Sequence, residues 1–68
     1  MFNRRRVKFS YCAFRDILTP DEKRAVMKNE VTRIRTSTIY TAIFDTEDHA
    51  VQIARFLMNK DVPYVQRG

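Results

Sequence analysis

His49 is the only histidine of the chain and Cys12 its only cysteine, so a nucleophile with its base would have to pair Cys12, Ser10 or Ser37 with that one imidazole. Nothing in their spacing marks such a pair. The carboxylates Asp45, Glu47 and Asp48 gather beside His49, but they sit where a helix is expected to begin. Capping and the positive end of the helix dipole account for acids there, and a cap-stabilising or exposed role accounts for His49. A metal centre needs several ligands, and one imidazole with one distant thiol does not supply them. Glycine occurs once, at Gly68, which excludes the phosphate cradles that depend on several glycines for close backbone approach. No catalytic residue, cofactor site or metal site is assigned, and the chain is expected to work by binding.

Charge says more. Thirteen Lys and Arg face eight Asp and Glu, a net of +5. Ten of the bases (Arg4, Arg5, Arg6, Lys8, Arg15, Lys23, Arg24, Lys28, Arg33, Arg35) stand in residues 1–35 against four acids, while residues 36–68 carry a net of −1. A field of that sign attracts a polyanion, either nucleic acid or the acidic face of a protein. With 68 residues the chain makes one domain with a modest core, expected as a marginal monomer or an oligomer. Its apolar runs are only a few residues long, too short to span a bilayer. None follows Arg4, Arg5 and Arg6 as a secretory signal would require, so a cytoplasmic protein is expected. Cys12 has no partner for an intramolecular disulfide and is expected to be a small buried hydrophobe.

The elements that must position these charges can be read from periodicity. Residues 6–14 alternate Val7, Phe9, Tyr11 and Ala13 with Lys8, Ser10 and Cys12, which predicts a half-buried strand. Thr19-Pro20-Asp21-Glu22 is a helix start, with Thr19 as N-cap, Pro20 at the first helical position and Glu22 closing a capping box; the helix is expected to end near Asn29. Residues 31–44 are rich in Thr, Ile, Val, Tyr and Phe, and the polar pair Thr36-Ser37 divides them into a hairpin of 31–35 with 38–44. A second helix starts at an N-cap of Asp45 or Thr46, with Ala50, Ile53, Ala54, Leu57 and Met58 as its apolar stripe and Val51 and Phe56 widening it. Residues 62–66 make a last strand, which Pro63 confines to an edge. The order β-α-β-β-α-β predicts an α+β fold of ferredoxin-like split β-α-β units, an antiparallel sheet with two helices on one face. A three-stranded meander with one main helix is the alternative.

In such a sheet the other face is open, and it is expected to carry Lys8, Ser10, Arg33 and Arg35 with Tyr40 or Tyr64. Cations mixed with aromatic rings are the means by which sheets stack and neutralise single strands. Thr41-Ala42-Ile43-Phe44 before an acidic helix start has the rhythm of an RNA-recognition motif, but Ile39 and Thr41 stand where that motif places its stacking aromatics. Asn3-Arg4-Arg5-Arg6 is either a phosphate-contacting arm or a solvated end.

The start, Val7-Lys8-Phe9-Ser10-Tyr11-Cys12-Ala13-Phe14-Arg15-Asp16, and the end, an Ala/Val-rich helix from Ala50 through Phe56-Leu57-Met58-Asn59-Lys60-Asp61 to Arg67-Gly68, resemble the Dmd antitoxins of T-even phages. That resemblance implies a very small phage regulator that works in the host cytoplasm and neutralises a toxin endoribonuclease. It assigns no binding residue. The expected partner is therefore an acidic surface of a host protein, with RNA or single-stranded DNA as the alternative and a homodimer through an exposed strand edge as a third. The expected partner-binding residues are Arg4, Arg5, Arg6, Lys8, Arg33, Arg35 and Tyr40.

Overall fold

A computed structural model describes residues 4–67. β1 (Arg6–Ser10) follows its alternation: Val7 and Phe9 are buried while Arg6, Lys8 and Ser10 are exposed. The strand stops earlier than the alternation suggests. A six-residue helix, α1 (Tyr11–Asp16), takes its place and moves Tyr11 and Ala13 off the strand. Tyr11 and Phe14, three residues apart, share a face of that helix. Phe14 stacks on Tyr40 at 4.4 Å between ring centroids, and Tyr11 stacks on Phe14 at 6.4 Å. On a strand these two rings would point to opposite faces, so the aromatic stack requires the helix. Cys12, expected to be buried, lies instead on the exposed side of α1.

α2 (Pro20–Asn29) starts as its sequence directs. Thr19 Oγ1 accepts from the Glu22 N–H at 3.2 Å, and the Glu22 carboxylate accepts from the Thr19 N–H at 2.8 Å. β2 (Glu30–Arg35) and β3 (Ile39–Phe44) form the expected hairpin. Its turn has no glycine, asparagine or aspartate. Thr36 substitutes for them: its hydroxyl accepts from the Ile39 N–H at 2.9 Å and the Thr38 N–H at 3.3 Å.

α3 (Glu47–Asn59) is capped by Thr46, whose hydroxyl accepts from the His49 N–H. Ala50, Ile53, Ala54 and Leu57 are buried along it, and Met58, assigned to the same stripe, is exposed. The helix closes with paired bonds from the Asp61 N–H to the Met58 carbonyl (3.1 Å) and from the Val62 N–H to the Leu57 carbonyl (2.9 Å), with Asp61 at a φ of 57°. Aspartate is among the few residues that enter this left-handed region without glycine's freedom. β4 (Tyr64–Arg67) follows directly after Pro63 and takes an edge, as expected.

The sheet has the order β2-β3-β1-β4 with every neighbouring pair antiparallel, and with the three helices it makes an α+β fold. Val7, Phe9, Tyr40, Ala42 and Phe44 supply the sheet's share of the core, and Ala13, Val26, Ala50, Ile53 and Leu57 supply the helices' share. Among the described residues no helix is long and apolar enough to cross a membrane.

Candidate functional site

On the face turned away from the core, residues directly opposite one another in the register share a side and can be read off strand by strand. β1 presents Arg6, Lys8 and Ser10; β3 presents Ile43, Thr41 and Ile39 opposite them; β4 presents Arg67 and Val65; β2 presents Thr32 and Ile34. Arg6, Lys8, Ile34, Thr36, Ile39, Thr41, Val65 and Arg67 line a shallow depression of about 390 Å³. Its floor is aliphatic and hydroxylic, its rim holds three cations, and among the described residues no carboxylate or aromatic ring lines it.

The charge arrangement on this face is unfavourable by itself. Arg6 stands directly opposite Arg67 across the β1–β4 pair, and Lys8 follows two residues along the same face. Like charges placed opposite each other destabilise a sheet unless an anion comes between them. The ion pairs among the described residues use Arg15, Arg24, Arg33, His49 and Lys60, and none uses Arg6, Lys8 or Arg67. Arg4 and Arg5 continue toward the same end of the sheet. The Arg4 carbonyl accepts from Gln66 Nε2 at 2.9 Å and the Arg5 carbonyl from the Phe44 N–H at 2.8 Å, so the backbone of the basic run is tied to both neighbouring strands. Asn3 lies outside the described residues.

The other expected binding residues lie elsewhere. Arg33 opposes Ala42 and Arg35 opposes Tyr40, which places both arginines on the helix side of the sheet, with Tyr64 opposite Phe9 on that side as well. The expected grouping of Lys8 with Arg33, Arg35 and a tyrosine is therefore divided between two faces. Tyr40 is buried, with 1% of its surface exposed, and cannot serve as a stacking platform. Its hydroxyl donates to the Glu30 carboxylate at 2.9 and 3.1 Å. Burial, reinforced by that carboxylate, holds the Tyr40 phenol well above the usual tyrosine range. Burial likewise pushes the Glu30 carboxyl up, against the opposing pull of Tyr40 and of Arg33 at 3.4 Å. Arg35 lies over the Tyr11 ring, 4.0 Å from its centroid.

Arg67, Ile34, Ile39, Thr41 and Val65 were not among the expected site residues. Extending the alternation of the last strand by one residue beyond Gln66 pairs Arg67 with Val65 on one side, and that signal was present. His49 acts in the cap of α3, where its Nδ1 lies 2.6 Å from Asp45 and its contact holds the Asp45 carboxyl below the usual range. Among the described residues no three of His, Cys, Asp and Glu gather closely enough to hold a metal ion. Comparison with known proteins finds no family model, no curated protein and no solved structure that matches this chain.

Proposed function

We propose that the chain is a small non-enzymatic regulator of the phage inhibitor type, which binds and neutralises a host protein in the host cytoplasm through the open basic face of its sheet. A toxin endoribonuclease is the target class that its two ends suggest. The observation that carries this reading is the trio of Arg6, Lys8 and Arg67, without an ion-pair partner among the described residues, around an aliphatic floor. Cations ringing apolar surface suit an acidic protein face that also brings apolar side chains. The nucleic-acid alternative is less well supported, since single strands are usually gripped by exposed rings and the rings of Tyr40 and Tyr64 belong to the opposite face. The architecture behind the surface is read as the ferredoxin-like split arrangement. The order β2-β3-β1-β4, the antiparallel pairs, and α2 and α3 each standing between two strands in the chain support that reading.

The test is affinity capture from host lysate, with and without nuclease, using the tagged wild type and an R6A/K8A/R67A variant whose circular dichroism is unchanged. The expected result is one stoichiometric protein partner that survives nuclease and is lost with the variant, with about 2 kcal/mol or more concentrated at one or two of the three positions. Loss of every partner on nuclease treatment, with bound RNA or DNA beforehand, would overturn the reading. So would single substitutions that weaken binding evenly while each lowers the salt slope by about one, the signature of phosphate contacts.

A further inference from the structure

β2 forms one edge of the sheet, and among the described residues no strand covers its outer side. The hairpin fixes which backbone groups face outward. The Thr36 N–H donates to the Ile39 carbonyl at 2.9 Å, so Thr36 and Ile39 form a hydrogen-bonded pair. Pairs alternate along an antiparallel ladder between hydrogen-bonded and non-hydrogen-bonded. Ile34 with Thr41 is then bonded, while Arg35 with Tyr40 and Arg33 with Ala42 are not. Residues of the second kind turn their N–H and C=O away from the partner strand. The groups offered at this edge are those of Arg33 and Arg35, and the side chains standing beside them are guanidinium groups.

These arginines are exposed but not idle. Arg35 lies over the Tyr11 ring, and no ion pair among the described residues uses its guanidinium. Arg33 is drawn toward Glu30. On the opposite side of the strand, Ile34 is more than half exposed. The other edge differs: β4 is only four residues long and follows a proline, two features that blunt an edge. A second copy of this chain is a poor occupant for β2. Any antiparallel register that bonds both Arg33 and Arg35 within the strand pair sets arginine directly opposite arginine.

We propose that β2 is a strand-addition site for an acidic extended segment of a partner protein. The segment pairs through the outward backbone groups of Arg33 and Arg35, carries carboxylates at the two alternate positions opposite them, and carries apolar residues at the intervening positions beside Ile34. Backbone bonds supply the attachment and the alternate side chains supply the selection. The inference goes beyond the open-face reading and stands without it, because Arg6, Lys8 and Arg67 take no part.

The experiment uses the full chain, labelled with nitrogen-15, titrated with the blocked peptide acetyl-Thr-Val-Glu-Val-Glu-Val-Thr-amide. The expected result is saturable binding in which the Arg33 and Arg35 amide signals move and their hydrogen exchange slows. Glutamine in place of both glutamates, or R33E/R35E in the protein, is expected to weaken binding about tenfold or more. N-methylation of the two glutamate nitrogens keeps both charges and is expected to abolish binding, while R6A/K8A/R67A leaves it intact. An N-methylated peptide that binds as well as the parent would overturn the proposal, as would signal changes confined to the open face or the absence of saturable binding. A uridine decamer that moves the Arg33 and Arg35 amides where the peptide does not would also overturn it, in favour of nucleic acid.

Discussion

At the scale of single residues, Glu30 is a charged group enclosed between two partners. Its side chain is nearly enclosed, accepts from the Tyr40 hydroxyl and lies 3.4 Å from Arg33. Burial outweighs these partners and raises its pKa above the ordinary glutamate value. The folded chain therefore keeps a proton at pH values where the unfolded chain has already lost it. Stability from this group is greatest below the ordinary carboxylate value and falls as pH rises through the raised one. E30Q keeps an acceptor for Tyr40 and carries no charge, so at pH 7 it should melt a few degrees above the wild type. That gap should close as the pH is lowered below the usual glutamate range. Melting curves of the two proteins across that interval check this, and a gap that is independent of pH would show that the Glu30 charge is already compensated. Little of this was legible in the sequence. Tyr40 was expected as a surface ring because strand parity was counted without the hairpin register, and a one-residue change of register exchanges the faces of a strand.

At the scale of elements, legibility followed how local the determining contacts are. α2 was readable because Thr19, Pro20 and Glu22 satisfy its first turn among themselves. α1 was not, because its six residues are held by rings from other elements, and over so short a stretch the spacing of Tyr11, Ala13 and Phe14 suits a strand nearly as well as a helix. The hairpin lies between these cases. Its two strands were evident in composition, but the turn lacked the usual signals because Thr36 makes it with its side chain. T36V removes that acceptor at constant shape and is expected to cost about 1 kcal/mol, whereas T36S is expected to cost less because the hydroxyl remains. Urea denaturation midpoints of the three proteins decide it. Equal midpoints for T36V and the wild type would mean that water replaces the hydroxyl without loss. The end of α3 carries a similar lesson: the turn there is made by Asp61 at positive φ, a position for which sequence reading looks first to glycine.

At the scale of the whole molecule, the core and the cationic face depend on the same two strands. β1 lies inside the sheet only because β4 covers its outer side, and the Arg4 carbonyl receives its bond from Gln66, 62 residues away in the chain. A chain ending at Pro63 would leave β1 as an edge and lose Arg67. For a domain of this size, with a total stability of a few kcal/mol, that loss is expected to unfold most of the population at 37 °C. Circular dichroism of the truncated chain against the full one checks this, and a cooperative melt well above 37 °C would show that β4 is dispensable to the fold. The closing of the sheet by its last strand also bears on synthesis. A nascent chain cannot display Arg6 and Arg67 face to face until residue 67 has been synthesised, so this cationic pair can assemble only after the other three strands of the sheet have been made.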